Sequence, residues 1–324
     1  MDSKITNKER YRELCNENND IPLFMQAWWM DAVCFNKKWD VILYEKNHKI
    51  IAVWVYHYVK KFGITAIIQP QLTQTNGIWI ESPTGFSKNK ILSYETEIMK
   101  NLITQFESLE ISYFDQNFHY SFTNWLPFYW KGFTQTTRYT YIIEDISNHK
   151  NCFEEFRNSK KSHIKKAEKS IFIDQNLSWN EFYDHLQQNL IHNKKQVYYS
   201  KEFFSSLYHA CVERNQGCIL AAYDNDKIFH AGLFVVWDNK SAYNLISTIN
   251  PTFRSSGASS LLFCEAIKLM SNKTKTFDFE GSMNEKIEKS FREFGTIQVP
   301  YFQLKKTSLP SLEKIKKSRQ YFSK

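Results

Sequence analysis

The chain has 324 residues, 42% hydrophobic and 16% aromatic, a composition that suits a packed globular protein with room for two domains of ordinary size. No apolar run approaches the roughly 20 residues of a membrane-spanning helix, and the charged opening MDSKITNKERYRELCNENND lacks a signal-like apolar stretch, so a cytoplasmic protein without a transmembrane segment is expected. The net charge of +8 is one-sided: residues 1–150 hold 16 Lys+Arg and 16 Asp+Glu, whereas residues 151–324 hold 26 and 18, so an anionic partner is expected for the second part unless its lysines form an ordinary solvated surface. Six scattered cysteines without C-x-x-C or a nearby histidine spacing predict reduced thiols and no metal site.

In chain order, a helical start leads to IPLFMQAWWMDAVC (21–34), read as helical. DVILYEK (40–46) and KIIAVWVYHYV (49–59) follow, two alternating runs joined by Asn47-His48, which predict a β-hairpin. ITAIIQ (64–69), GIWIE (77–81) and RYTYIIE (138–144) predict strands, with a helix over 91–106. The second part predicts helices over 150–169, 178–193 and 201–214, and then strands CILAAYD (218–224), KIFHAGLFVVW (227–237) and SAYNLIST (241–248). A helix over 256–271, the strand TKTFDFE (274–280), a helix over 284–294 and a last strand IQVPYFQLKK (297–306) complete it. Lys-Ile follows the turn of a hairpin twice, at Lys49-Ile50 and Lys227-Ile228, which suggests an internal duplication. Domains over 1–148 and 149–324 are expected.

Three stretches carry candidate chemistry. Around Arg254-x-x-Gly257-x-Ser259, a strand passes through a small-residue turn into an amphipathic helix; the free N–H groups and positive dipole end of such a helix start suit a phosphate, with Arg254 adding donors. A plain strand-to-helix connection is the alternative. RNSKKSHIKKAEKS (157–170) places Arg157, Lys161, Lys165 and Lys169 four apart, with Phe153, Phe156, Ile164, Ala167 and Ile171 as its apolar face. That ridge either meets an anion or is solvated. In FDFEGS (277–282), alternation puts Asp278 and Glu280 on one face and two phenylalanines on the other, and Ser282 with Glu285 reads as a capping box for the next helix. Carboxylates there suit a general base or an amine anchor; a structural acid satisfied by backbone N–H groups is the alternative.

Together the basic helix NSKKSHIKKAEKS, NPTFRSSGASSLLFCEAI (250–267), FDFEGS and FREFGTIQVPYFQLKK (291–306) resemble the second domain of the FemAB family within the GNAT acyltransferase superfamily. PLFMQAWWMDAVCFNKKWDVILYE (22–45) resembles that family's opening. The resemblance implies an α/β (α+β) fold of two tandem GNAT-like domains, each a mixed, mostly antiparallel sheet flanked by helices. It implies that Arg254, Gly257, Ala258 and Ser259 form the donor-phosphate turn, although Ser259 stands where Gly or Ala is usual, and that Asp278 is the acid of the family's strand-end motif.

The reading is therefore an N-acyltransferase that moves an acyl or aminoacyl group to an amine, with Glu280 and Asp278 as candidate catalytic acids and Arg157, Lys161 and Lys165 as anion-binding residues. The resemblance implies acyl-CoA or aminoacyl-tRNA as co-substrate with no tightly bound cofactor, and a small-molecule amine or cell-wall precursor as acceptor. tRNA is a candidate partner and DNA is not. The chain lacks the long helical-hairpin insertion of some tRNA-dependent members, which weakens aminoacyl-tRNA as donor without excluding it. The rival is a non-catalytic module whose basic ridge holds an anionic polymer or membrane headgroup. Glu280 is expected nearer the acceptor side, and Asp278 deeper, bonded to backbone or to a basic side chain.

Overall fold

Hydrophobic alternation builds the strands and 3.6-residue periodicity the helices, in the order β1 (Trp39–Lys46), β2 (Lys49–Lys61), β3 (Ile64–Ile68), β4 (Gly77–Ile80), β5 (Tyr113–Asn117) and β6 (Thr134–Ile143), with α1 (Asn7–Glu17), α2 (Ala27–Val33), α3 (Lys88–Glu107) and α4 (Leu126–Tyr129) among them. There follow α5 (His149–Glu155), α6 (Asn158–Ala167), β7 (Ile171–Asp174), α7 (Trp179–His192), α8 (Lys201–Val212), β8 (Gly217–Asp224), β9 (Phe229–Trp237) and β10 (Ser241–Ile249). The last elements are α9 (Ala258–Met270), β11 (Thr276–Asp278), α10 (Glu285–Arg292) and β12 (Ile297–Thr307). This computed structural model describes residues 5–61 and 63–308.

The chain divides into two compact units, one made of the residues up to Arg138 with those from Pro300 onward, the other of Tyr139–Val299. The division falls earlier than the expected boundary at 148, because Ile142 and Ile143 of β6 already pair with Asp278 and Phe277 of β11. The end of β12 belongs to the first unit, where Gln303–Thr307 pair with Asn117–Tyr113 of β5.

In the first unit β1, β2 and β3 are antiparallel neighbours, β4 also pairs with β2, and β3 and β5 run parallel. Asn47 and His48 both have positive φ, 52° and 62°, as a two-residue hairpin turn of the favoured twist requires. Around Trp54 the core is aromatic: its ring stacks on Phe106 at 4.8 Å and meets Phe114 and Phe128 edge-on.

In the second unit β7, β8, β9 and β10 are antiparallel in sequence order, β10 and β11 parallel, and β11 and β6 antiparallel. Each unit thus has the mixed, mostly antiparallel sheet flanked by helices that was expected. The β8–β9 turn differs from the first hairpin: Asp224 Oδ1 accepts the N–H groups of Asp226 and Ile228, and Lys227 sits within the turn at φ 61°. Lys49, by contrast, is the first residue of β2, so the shared Lys-Ile phrase does not mark equivalent positions.

One predicted helix, 150–169, is two. Phe156 and Arg157 are extended between α5 and α6, and Arg157 N–H bonds Glu293 O at 3.0 Å. The Phe156 ring meets Phe294 edge-on at 5.1 Å, so packing against the end of α10 outweighs local helix preference. The cap of α10 is also corrected. Asn284, not Ser282, accepts from Lys286 and Ile287 N–H, while Ser282 Oγ accepts from Asn284 N–H.

Candidate active site

Strand β11 is short because its partners part. β10 pairs with it only over Ser241–Tyr243 and then runs on to Ile249, while Phe279 N–H continues toward β6 by bonding Tyr141 O at 2.9 Å. At the point of divergence β10 carries a β-bulge, with Asn244 opposite Val235 and Ile246 opposite Phe234, leaving Leu245 as the extra residue. Asn244 is buried, reaches toward Phe279 O at 3.5 Å, and its Oδ1 has no hydrogen-bond partner among the described residues. Sequence reasoning missed this residue, although a lone amide inside the apolar run SAYNLIST was the available signal.

The two acids sit on the other side of this divergence. Asp278 is fully buried; its Oδ1 accepts from Thr140 Oγ1 and from Glu280 N–H at 2.7 Å, and its Oδ2 has no partner among the described residues. Backbone bonding was expected of Asp278 and is found; the second partner is a hydroxyl where a basic side chain was also considered. Burial pushes its pKa up to about 7 against the two hydrogen bonds. Strand geometry ends before Glu280, so simple alternation does not place the acids together. Instead Glu280 and Gly281 are both left-handed, at φ 59° and 57°, and the chain folds back over the Asp278 carboxylate. Glu280 keeps part of its surface open while its Oε1 is buried, and desolvation followed by the Asp278 charge holds its pKa well above the carboxylate range. Neighbouring Tyr198 keeps most of its ring exposed, while desolvation at the hydroxyl and then the Glu280 charge raise the phenol's pKa.

Raising an acid's pKa in the folded state has a definite sign. The folded chain holds the Asp278 proton more tightly than the unfolded chain does, so the contribution is complete below the unfolded value near 4 and lost as pH rises through about 7. Asp278→Asn is therefore expected to flatten the pH dependence of stability across that window, a difference on the order of a few kcal/mol. Urea melts of both proteins from pH 4 to 8 measure it; parallel curves would mean that Asp278 is not desolvated. Asp278→Asn therefore destabilises the fold chiefly at the acidic end.

The turn from Arg254 to Ser259 lies where β10 delivers the chain to α9, at the end of the sheet at which β10 and β11 part. Arg254 bonds Asn193 Oδ1 at 2.5 Å and, among the described residues, pairs with no carboxylate. Ala258 and Ser259 form the first turn of α9, whose N–H groups lack intrahelical acceptors. At Gly257 the φ of 80° is left-handed and a Cβ would fall 2.8 Å from His163 O and 3.1 Å from Ala167 Cβ, so the missing side chain lets α6 pack against the start of α9.

The basic helix is thereby brought to the turn, but its charges are partly engaged. Arg157 pairs with Glu293 at 2.8 Å and Lys161 with Glu154 at 3.4 Å, while Lys165 lies 6.0 Å from the Phe153 ring centroid and is exposed. Not every charge faces outward: Lys160 is buried, 3.5 Å from Glu293 and over the Phe294 ring. A cavity of about 820 Å³ elsewhere in this unit, lined by His149, Lys150, Glu265 and Lys268 among others, contains none of the predicted site residues. Among the described residues no cluster of His, Cys, Asp and Glu is placed to hold a metal, and no helix is long and apolar enough to cross a membrane.

Residues 155–286 match the family described as "Acetyltransferase (GNAT) domain", which spans the basic helix, the turn and both acids. This segment is a GNAT acyltransferase domain. No curated protein matches the chain. Among solved structures the chain is similar to FemX, at 12% identity over 93% of this chain and 97% of that one, with a TM-score of 0.66. It is also similar to a conserved protein of unknown function from Bacteroides thetaiotaomicron (9% identity, 94% and 98% covered, TM-score 0.58) and to L-PGS from Bacillus licheniformis (8%, 95% and 95%, 0.55). The family match thus gives the class of residues 155–286, and the FemX likeness gives the fold of the chain alone.

Proposed function

We propose that the chain forms an amide by moving an acyl or aminoacyl group from acyl-CoA or an aminoacyl-tRNA to an amine, with a small-molecule amine or a cell-envelope precursor as acceptor. The observation that carries this is the pair of acids, Asp278 buried and Glu280 partly open, placed where the parallel strands part, at the same end of the sheet as a helix start suited to an anionic donor. Glu280 takes a proton from the acceptor ammonium, the neutral amine forms the new C–N bond, the donor's C–S or C–O bond breaks, and the leaving group takes up a proton. Asp278 is a positioning residue: it holds the Glu280 N–H and, through its charge, keeps the Glu280 carboxyl basic. Arg254 and the first turn of α9, from Ala258 and Ser259, receive the donor's phosphates, while exposed Lys165, with Arg157 and Lys161 when released from their acids, adds attraction for a polyanion.

Isotope-labelled acetyl-CoA and aminoacyl-tRNA, each offered with a panel of amines that includes peptidoglycan precursors, test the reading by the label found in amide product. Binding of a donor without consumption of either would favour the non-catalytic rival. Arg254→Ala is expected to weaken donor binding about tenfold while leaving the fold intact, since Arg254 bonds the exposed amide of Asn193. Titration of the variant with coenzyme A measures this, and unchanged affinity would move the donor site away from the turn. Arg254 is a sounder probe than Gly257, where any side chain meets α6.

A further inference from the structure

The first unit exposes apolar side chains that its own core does not use. In α4, Pro127 and Phe128 are buried, but Leu126 and Tyr129 of the same turn, and Trp130 after it, are 51%, 61% and 58% exposed. Leu92 of α3, 53% exposed, lies on the adjoining ridge: Thr96, one turn on, accepts from Asn124 Nδ2 at 3.3 Å, and Lys100, a further turn on, lies 5.8 Å from the Trp130 ring centroid. The four side chains therefore flank one surface formed by α3 and α4. Scattered exposed hydrophobics are ordinary on a protein surface; a cluster of Leu, Tyr and Trp is not.

Cations frame this surface, and the nearby acids are engaged. Lys88 and Lys90 begin α3, Lys100 borders Trp130, and Lys131 follows it. Glu107 accepts from both Lys131 and Lys306, at 3.2 and 3.3 Å, Glu95 is met by Asn124, and Glu97 accepts from Tyr44. Tyr and Trp carry an apolar ring and a polar tip, which suits the boundary between lipid headgroups and acyl chains, and lysines beside them favour anionic headgroups. A second copy of the chain would bring these same lysines face to face.

We propose that the surface formed by α4 and the adjoining ridge of α3 docks on an anionic membrane, with Leu126, Tyr129, Trp130 and Leu92 entering the headgroup region and the surrounding lysines facing lipid phosphates. The contact is peripheral and reversible, and it is independent of the acyl-transfer reading because it uses none of those residues. Co-sedimentation of the full chain with vesicles is the test, using phosphatidylcholine alone and roughly three parts of it with one part phosphatidylglycerol. Binding is expected to the anionic vesicles, weak binding to the neutral ones, and a decline as salt rises. Tyr129→Ala with Trp130→Ala is expected to weaken binding about tenfold or more. Lys88→Glu with Lys100→Glu should do the same by charge alone, and serves if the aromatic variant melts early. No binding to anionic vesicles, or binding that both variants leave unchanged, would overturn the proposal. So would a concentration-dependent dimer in sedimentation velocity that the Tyr129/Trp130 variant abolishes, since that would assign the surface to a second copy.

Discussion

Glu280→Gln is expected to lower kcat about 10²-fold or more, with the fold retained, because it removes a proton acceptor while keeping the size and hydrogen-bonding shape of the side chain. The left-handed backbone at this position is held by the Asp278 carboxylate on its N–H, which the substitution does not touch. The pH dependence gives a second readout. Desolvation first, and then the Asp278 charge, hold the Glu280 carboxyl well above the carboxylate range, so activity should rise with pH as that group loses its proton, at a pH far above the usual value near 4. In Glu280→Gln the rising limb should disappear. Activity within twofold of the parent, or an unaltered limb, would make FDFEGS an architectural strand end.

Gly281→Ala is expected to destabilise the chain by about 3 kcal/mol or more. A Cβ at Gly281 would fall 2.1 Å from Tyr139 O and 2.6 Å from Thr140 Cα, both backbone atoms of β6 that no rotamer change can move aside. The left-handed φ adds its own cost of about 1–2 kcal/mol. Gly132→Ala isolates that second cost, because Gly132 has a φ of 77° and nothing within 4 Å of its Cβ position. Chemical denaturation of both variants separates the contributions. Equal losses would show that β6 yields to the added methyl group.

Periodicity made most elements legible, since the strands are carried by runs such as KIIAVWVYHYV that alternate or are uniformly apolar. The misses have physical causes. YFDQN at β5 reads as polar, yet Gln116 is fully buried: it accepts from Trp54 Nε1 and donates to Val55 O and to Asn76 Oδ1, each at 2.8 Å. A buried amide bonded in this way costs little, but it is invisible to a pattern of apolar residues. IFID at β7 fell between the helices predicted over 150–169 and 178–193, with Ile171 counted on the first one's apolar face, and the break at Phe156-Arg157 depends on Glu293 and Phe294, far away in sequence. At the candidate site, Asp278 and Glu280 were legible as carboxylates near a chain break. The left-handed fold-back that joins them, and Asn244 at the bulge, needed the tertiary structure.

The bulge at Leu245 also has a hereditary consequence. A strand counts in twos, so one added residue shifts the phase of everything after it. Deleting Leu245 alone would bring Ile246 directly after Asn244 with both partners kept, turning β10 into a regular ladder and removing only the local bend. A residue lost or gained further along, between Ile246 and Ile249, would instead reverse the faces presented toward the turn at Arg254. Descendants of this chain can therefore change the length of β10 at the bulge, and elsewhere only with a compensating change.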